Sequence, residues 1–336
     1  MSLTILRPGL LTTVQDLGRT GYQKAGILVS GAMDTVALRV GNLLVGNAQG
    51  AAGLEITLSG PRIRFEADHI IALTGAHLSP TIDGRPAPRN RLLAVRAGAE
   101  LAFGAAENGC RAYLAVSGSF DLPRVLGSHA TYLRAGLGGL HGRALRAGDV
   151  LHGAGPTDVG LCLRQTLPAF TDAARWVAAP WSVEPAFDQT SRQKPVVRAI
   201  VGPEYGQFSV ASQQAFWSEQ FTVTAAADRM GYRLSGPALQ RLEEVELLSS
   251  AVTFGTVQVP AGGQAIVLMA DHQTTGGYPR LAQVISVDFS ILAQLSPGQA
   301  FHFQEVSLAE AQALYLAQER RLQALRRAIA FKLAST

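Results

Sequence analysis

Short apolar runs separated by turn residues dominate the hydrophobic pattern of this chain. The runs are rich in Val, Ile, Leu, Thr and Phe, and Gly, Pro, Asp or Asn interrupts them at intervals of roughly eight to twelve residues. This spacing is typical of β-strands joined by tight turns, which the 35 glycines favour because glycine adopts a positive φ without a steric penalty. The predicted strands are Leu54–Leu58, Ile63–Phe65, Ile70–Leu73, Leu92–Val95, Tyr113–Val116, Val196–Val201, Val257–Val259, Ile266–Met269 and Ala300–Phe303.

Two segments have helical spacing instead. Apolar residues recur every three or four positions from Thr35 to Leu44, and Asp34 stands where an N-cap is expected. A longer amphipathic pattern runs from Leu308 to Leu333, preceded by Ser307, which could form a capping box with Glu310. The second pattern predicts a packing helix with a basic outer face, and a role in binding a partner or a membrane surface stays open.

A weak internal repeat predicts that the chain is a duplication. Arg-x-Gly-Tyr occurs at Arg19–Tyr22 and at Arg229–Tyr232, a shift of 229 − 19 = 210 residues. Three further matches keep the same order, which is unexpected for chance and far too widely spaced for a solenoid. They pair Glu55–Ser59 with Glu246–Ser250, Ile71–Gly75 with Val267–Asp271, and Gly98–Phe103 with Gly298–Phe303. The predicted organisation is a β domain over 1–165, a proline-containing linker over 166–195, a second β domain over 196–306 and a C-terminal helix over 307–336.

Composition excludes several classes of protein. With 336 residues, 47% hydrophobic and 16% charged, the chain is long enough for two domains and too apolar for disorder. The net charge of +4 comes from scattered basic residues, which argues against nucleic acid as a partner. No apolar run is long enough to cross a bilayer and no signal peptide is recognisable, so a cytoplasmic protein is expected. The two cysteines, Cys110 and Cys162, are expected to be buried.

The densest group of polar residues, 270–280, follows the predicted strand Ile266–Met269. Backbone amides of Gly276 and Gly277 and the side chains of Gln, Thr, Tyr and Arg could bind an anion or a carbonyl oxygen, although a solvated turn explains the composition equally well. A second group, Thr13–Arg19, leads towards the helix start at Asp34. There the simpler interpretation is that Asp34 caps the helix and Asp16 pairs with Arg19.

Missing motifs exclude other chemistries. The three lysines, Lys24, Lys194 and Lys332, lie neither in a P-loop nor between methionines as a biotin-accepting lysine does. Val116–Phe120 lacks the framing glycines of a nucleophile elbow. No histidine pair has the spacing of a metal site, and no bound metal is expected.

The sequence resembles a known family. The segments that carry the resemblance are Thr12–Arg19, Gly31–Asp34, Asn42–Asn47, Leu54–Leu58, Leu73–Ala76, Gly202–Tyr205, Arg229–Leu234 and Gln273–Arg280. Together they resemble the C subunit of the bacterial 5-oxoprolinase, a family also labelled allophanate hydrolase subunit 2 or biotin-dependent carboxyltransferase-like. The resemblance implies a mainly β protein with two tandem cyclophilin-like β-barrels. It also implies a close partner, the B subunit of 5-oxoprolinase, and a separate A subunit.

The resemblance implies ATP-dependent opening of 5-oxoproline to glutamate, with ATP, and Mg²⁺ with it, shared with a partner chain. Asp271 and His272 are acid/base candidates by proximity, and Asp16 is a further catalytic candidate that orients the substrate with Arg19. The residues expected to bind substrate or phosphate are Gln273, Thr274, Thr275, Gly276, Gly277, Tyr278, Arg280, Arg229, Tyr232 and Arg19. Two alternatives stay open. One is a carboxyltransferase component that receives CO2 from biotin on another chain and passes it to a urea-like amide, and the other is a non-catalytic regulatory subunit.

Overall fold

The computed structural model of this protein describes residues 1–171, 174–183, 195–243 and 246–334. Its contacts divide the chain into two compact units. The first unit comprises Met1–Arg19, Asp34–Ser191 and Arg320–Thr336, and the second comprises Thr20–Met33 and Arg192–Glu319. The parts of the predicted linker at 172–173 and 184–194 lie outside the described residues.

Two six-stranded sheets form the first unit. Its strands are β1 (Ser2–Arg7), β2 (Leu11–Gln15), β3 (Gly53–Thr57), β4 (Arg62–Phe65), β5 (His69–His77), β6 (Thr81–Ile82), β7 (Arg85–Pro86), β8 (Leu92–Val95), β9 (Glu100–Ala102), β10 (Asn108–Val116), β11 (Val150–His152) and β12 (Trp176–Ala178). The strand orders are β11-β1-β4-β9-β6-β7 and β12-β8-β5-β10-β3-β2. Alternation puts Leu54 and Ile56 of β3 in the apolar core, whereas Glu55 between them points to the opposite face.

Two helices accompany these sheets, α1 (Thr35–Leu44) and α2 (Asp158–Gln165). Helix α1 has the predicted bounds, and the Asp34 carboxylate accepts from the Ala37 amide at 2.9 Å, which confirms the predicted cap. The sequence pattern does not predict helix α2. Cys162 on this helix is exposed, so the expectation that both cysteines are buried was wrong. Cys110 is buried.

The second unit is a closed barrel of seven strands. The described strands of this unit, seven in the barrel and two outside it, are β13 (Val196–Val201), β14 (Gln220–Val223), β15 (Gly231–Ser235), β16 (Ser250–Ala251), β17 (Thr256–Gln258), β18 (Ile266–Leu268), β19 (Thr275–Gly276), β20 (Arg280–Val284) and β21 (Ala300–Glu305). The barrel order is β13-β20-β17-β18-β15-β14-β21, and β16 pairs separately with β19. Phe216 and Phe303 stack at 4.5 Å between ring centroids in its core. The mainly β fold is thus confirmed.

Three helices complete the chain, α3 (Val210–Ser218), α4 (Phe289–Gln294) and α5 (Leu308–Ala334). Glu310 accepts from the Ser307 amide at 2.8 Å and its own amide donates to the Ser307 hydroxyl at 3.2 Å, which confirms the predicted capping box. In the described part of the chain, none of the helices combines the length and the apolar character needed to cross a bilayer.

The contact division differs from the predicted domain limits in three places. Residues Thr20–Met33 belong to the second unit because Met33 is fully buried among the apolar residues of the barrel core. Strand β12 lies within the predicted linker, yet it pairs antiparallel with β8 at the edge of a sheet of the first unit. Helix α5 is shared, with Leu308–Glu319 in the second unit and the rest in the first.

The internal repeat has a structural counterpart at one pair of turns. Asp16 accepts from the Gly18 amide at 2.8 Å and Asp228 accepts from the Met230 amide at 2.8 Å, but these aspartate turns stand three residues and one residue before the repeated arginines, so they are not equivalent positions. Gly98 and Gly298 both have positive φ, 79° and 86°, directly before β9 and β21. The copies differ in closure, since among the described residues hydrogen bonds close the sheet of the second unit into a barrel, whereas those of the first unit form two open sheets.

Candidate functional site

Arg229 and Asp271 meet at one end of the barrel. Strands β15 and β18 pair antiparallel, with Gly231 opposite Leu268. Arg229 precedes β15 and Asp271 follows β18, so the pairing of the strands brings the two residues side by side. The Asp271 amide donates to the Arg229 carbonyl at 2.7 Å, which fixes the backbone at this point.

The Asp271 carboxylate anchors this end of the barrel. Its Oδ2 accepts from Arg229 Nε at 2.8 Å, and its Oδ1 accepts from Arg229 Nη2 at 3.0 Å and from the Ser30 hydroxyl at 2.6 Å. Arg229 Nη2 also donates to the Gly31 carbonyl at 2.6 Å. Both charged side chains are only 6% exposed. The network therefore ties the segment Thr20–Met33 to the barrel and leaves Asp271 poorly suited to act as a base.

His272 has the properties of a neutral proton acceptor. Burial lowers the pKa of its imidazole below the ordinary value. Its Nδ1 lies 2.6 Å from the Gln273 carbonyl, and because a carbonyl oxygen only accepts, Nδ1 carries the proton. In the neutral ring the lone pair is then on Nε2, which makes His272 the better acid/base candidate of the adjacent pair.

The lowered pKa of His272 predicts how the stability of the second unit depends on pH. As the pH falls through about 6.5, the unfolded chain takes up the proton before the folded chain does. The stabilisation from neutral His272 is therefore complete above that pH and is lost progressively towards the lower folded-state pKa. In urea unfolding, the denaturation midpoint is expected to fall less between pH 7 and pH 5 in His272→Gln than in the wild type. Unfolding is followed by Trp217 fluorescence in a background in which Trp176 and Trp181 are replaced by Phe. An unchanged slope would contradict the lowered pKa.

The rest of the predicted loop forms a small β-ribbon. Thr275 and Gly276 form β19, which pairs with Ser250 and Ala251 of β16. Neither Gly276 nor Gly277 is among the glycines with positive φ, so the loop does not have the alternating conformation of an anion-binding nest. Gln273 and Thr274 are half-buried, and Thr275 is exposed. The Tyr278 side chain is also exposed. This surface offers neutral donors and acceptors.

Arg280 is held by a carboxylate. Its Nε and Nη2 donate to the two oxygens of Glu204 at 2.9 and 2.7 Å, and its amide donates to Glu204 Oε2 at 2.9 Å. The hydrogen bonds from Arg280 keep the pKa of the Glu204 carboxyl below its usual value, which keeps the pair ionised. The positive charge of Arg280, which the sequence assigns to binding a substrate anion, is therefore neutralised by Glu204.

The remaining predicted residues lie elsewhere. Tyr232 is 2% exposed in the barrel core, where its hydroxyl donates to the Leu295 carbonyl at 3.5 Å, so its ring is a core residue and not part of the loop surface. Asp16 and Arg19 belong to the first unit. Asp16 accepts from the Ser128 hydroxyl at 2.7 Å and from the His129 amide at 2.6 Å, and Arg19 donates to the Ala130 carbonyl.

Sequence reasoning missed a buried polar pair in the first unit. Tyr113 donates to Glu55 Oε2 at 2.7 Å and accepts from the Asp34 amide at 2.8 Å. Burial, followed by the charge of Glu55, raises the pKa of Tyr113 well above its ordinary value. Glu55 lies opposite Tyr113 on β10 and opposite Thr13 on β2. The sequence does contain a signal for this pair, because Glu55 is an acidic residue between the apolar residues Leu54 and Ile56 of a predicted strand.

Comparison with known families identifies the relatives of this chain. A model of the family "Carboxyltransferase domain, subdomain A and B" matches residues 25–305. The chain belongs to this family. The chain is similar to the C subunit of 5-oxoprolinase from Escherichia coli (strain K12), with 43% identity over 92% of this chain and 93% of that protein. It is also similar to the C subunit of 5-oxoprolinase from Haemophilus influenzae, with 39% identity over 94% of this chain and 95% of that protein.

A solved structure has a closely similar fold. Kluyveromyces lactis urea carboxylase superposes with a TM-score of 0.86 at 28% identity, over 96% of this chain. The chain spans 29% of the length of that enzyme. The chain is therefore similar both to proteins of about its own length and to a segment of a much longer enzyme.

Proposed function

We propose that this chain is one subunit of a cytoplasmic, ATP-dependent 5-oxoprolinase complex that hydrolyses 5-oxoproline to glutamate together with the A and B subunits. The observation that carries the proposal is the 43% identity to the C subunit of E. coli 5-oxoprolinase, which extends over 93% of that protein. That relative is named as a subunit, which supports a multi-subunit enzyme. The cytoplasmic location belongs to the same proposal because ATP is a cytoplasmic metabolite.

The residues of the second unit suit a neutral amide better than a triphosphate. Arg229 and Arg280, the two cations expected to bind phosphate, donate to Asp271 and Glu204. These residues do not fit ATP, and we assign ATP and its Mg²⁺ to a partner chain. ATP supplies the activation that an unreactive lactam needs, because amide resonance opposes attack by water.

In the second unit, we assign chemical roles to His272 and to the neutral residues of the loop that follows it. His272 Nε2 accepts a proton from an attacking water, since the lowered pKa keeps the imidazole neutral near pH 7. The exposed Thr275 and Tyr278 hydroxyls and the half-buried Gln273 amide offer neutral hydrogen-bonding groups and no charge. Asp271 and Glu204 hold the two arginines and so shape the surface instead of reacting.

Carboxyl transfer is the second candidate function. The TM-score of 0.86 to K. lactis urea carboxylase favours it, because that relative is named as a carboxylase and the superposition covers 96% of this chain. This function requires biotin on another chain, since none of the three lysines here has the sequence context of a biotin acceptor.

Reconstitution separates these functions. The chain is purified with its cognate A and B subunits, and 5-oxoproline-dependent phosphate release is measured with each chain omitted in turn. We expect release only from the complete set. A matched comparison uses a biotin carrier and urea with the same proteins. Phosphate release that requires the biotin carrier would support carboxyl transfer. Full activity of the A and B subunits without this chain would support a regulatory role for this chain.

A further inference from the structure

The first unit contains a cavity that is lined by Asp16, one of the catalytic candidates, and by none of the residues that the sequence assigns to substrate binding. Its volume is about 430 Å³, within the range of small-molecule sites. Its lining includes the apolar side chains Leu17 and Phe120 and the polar residues Asp16, Arg124 and His129. Every lining residue belongs to the first unit.

Two tight turns build the wall of this cavity. Val125 and Ser128 exchange backbone hydrogen bonds at 2.8 and 3.3 Å across Leu126 and Gly127, whose φ values of 53° and 80° are those of a type I′ turn. The second turn follows β10 at Gly118, and the next residue, Ser119, lines the cavity. Asp16 holds the first turn in place through the Ser128 hydroxyl and the His129 amide.

Arg124 supplies positive charge at the cavity. Its Nε donates to His129 Nε2 at 3.3 Å, and no carboxylate of the described residues forms an ion pair with it. A guanidinium has five N–H donors in a planar fork, so most of them remain available to a ligand. By contrast, Arg229 and Arg280 in the second unit are each bound to a carboxylate. A carboxylate ligand matches the fork of Arg124 in charge and geometry.

Asp16 and His129 give the cavity further directional groups. A carboxylate has about four acceptor positions, and those of Asp16 accept three hydrogen bonds, from Ser128, His129 and Gly18. One position is left for a ligand N–H. Because Arg124 donates to Nε2 of His129, the imidazole proton is on Nδ1, which has no acceptor among the described residues. The cavity therefore combines a cation with a spare anionic acceptor.

We propose that this cavity binds a small carboxylate that carries an N–H group next to its acid group, with Arg124 binding the carboxylate and Asp16 accepting from the N–H. The chemical class follows from the lining residues. Its identification as 5-oxoproline, whose lactam nitrogen is bonded to the carbon that bears the carboxylate, rests on the proposed function. Arg124 is a new binding residue, and Asp16 contacts the ligand directly.

Calorimetric titration of the full-length chain tests the class of ligand. We expect 5-oxoproline to bind and 2-pyrrolidone, which has the same lactam ring without the carboxylate, to bind at least about tenfold more weakly. Arg124→Gln removes a charge-assisted hydrogen bond and is expected to weaken 5-oxoproline binding by about ten- to hundredfold. The matched control is Arg146→Gln, an exposed arginine of the same unit outside the cavity lining, which is expected to bind like the wild type.

The reconstituted complex gives a second readout. We expect Arg124→Gln to raise KM for 5-oxoproline about tenfold or more with a smaller change in kcat, and Arg146→Gln to change neither. Equal binding of 2-pyrrolidone, or an unchanged KM in Arg124→Gln, would overturn the proposed cavity site even if the complex is active. Arg124-dependent binding of 5-oxoproline without 5-oxoproline-dependent phosphate release would leave the site standing and overturn the proposed function. Absence of both binding and activity would overturn both.

Discussion

Replacing Asp271 by alanine is expected to destabilise the second unit by about 3–5 kcal/mol, because it leaves the Arg229 guanidinium buried without its carboxylate. The pair is only 6% exposed on each side, so water cannot replace the lost partner. The Ser30 hydroxyl loses its acceptor at the same time. Urea unfolding followed by Trp217 fluorescence, in a background with Trp176→Phe and Trp181→Phe, measures this loss.

The matched control for Asp271 is an exposed carboxylate on the same barrel. Glu305 ends β21 with an exposed side chain, and Glu305→Ala is expected to change the free energy of unfolding by less than about 0.5 kcal/mol. If Asp271→Ala instead unfolds within about 1 kcal/mol of the wild type and loses only activity, Asp271 is a catalytic group and not the anchor described above.

Replacing Gly118 by alanine is expected to destabilise the first unit by about 2–5 kcal/mol. About 1–2 kcal/mol comes from its φ of 82°, which a Cβ disfavours. A further 1–3 kcal/mol, roughly, comes from overlap, because a Cβ at Gly118 would collide with the backbone carbonyl of Gly155. Unfolding followed by Trp176 and Trp181 in a Trp217→Phe background reports this unit.

Gly127 is a closely matched control for Gly118. Its φ is 80°, it lines the same cavity, and a Cβ there would meet nothing within 4 Å. Gly127→Ala is therefore expected to cost only about 1–2 kcal/mol, the contribution of φ alone. The difference between the two variants isolates the steric overlap. Equal losses would show that the turn at Gly118 relaxes and that this wall of the cavity is not rigid.

Local patterns are sufficient for elements whose residues carry their own signals. Asp34 predicts the start of α1, and Ser307 with Glu310 predicts the start of α5, since caps depend on neighbouring residues only. The strands Leu92–Val95 and Val196–Val201 have the predicted bounds.

Elements that depend on tertiary contacts escape the sequence pattern. Helices α2, α3 and α4 are only eight, nine and six residues long, too short for apolar periodicity to mark them. The sequence predicts linker where β12 lies, because the pairing of β12 with β8 is a contact about 80 residues away along the chain.

The candidate site is less predictable because side-chain partners depend on the fold. The sequence locates Arg229, Asp271 and Arg280 but cannot show that carboxylates hold the two arginines. Ser30 reaches Asp271 across 241 positions of sequence. His129 reaches the cavity of Asp16 only through folding, and no motif marks it. Sequence patterns thus locate polar loops, whereas charge compensation within them requires coordinates.

Glutamate formation from 5-oxoproline, in the presence of excess avidin, tests the proposed function most directly. The measurement uses the complex of this chain with its A and B partners. We expect glutamate to form only when ATP and all three chains are present, and we expect avidin to leave the rate unchanged because no biotinyl group takes part. Glutamate formation at an undiminished rate without this chain, or a rate abolished by avidin, would contradict the assignment.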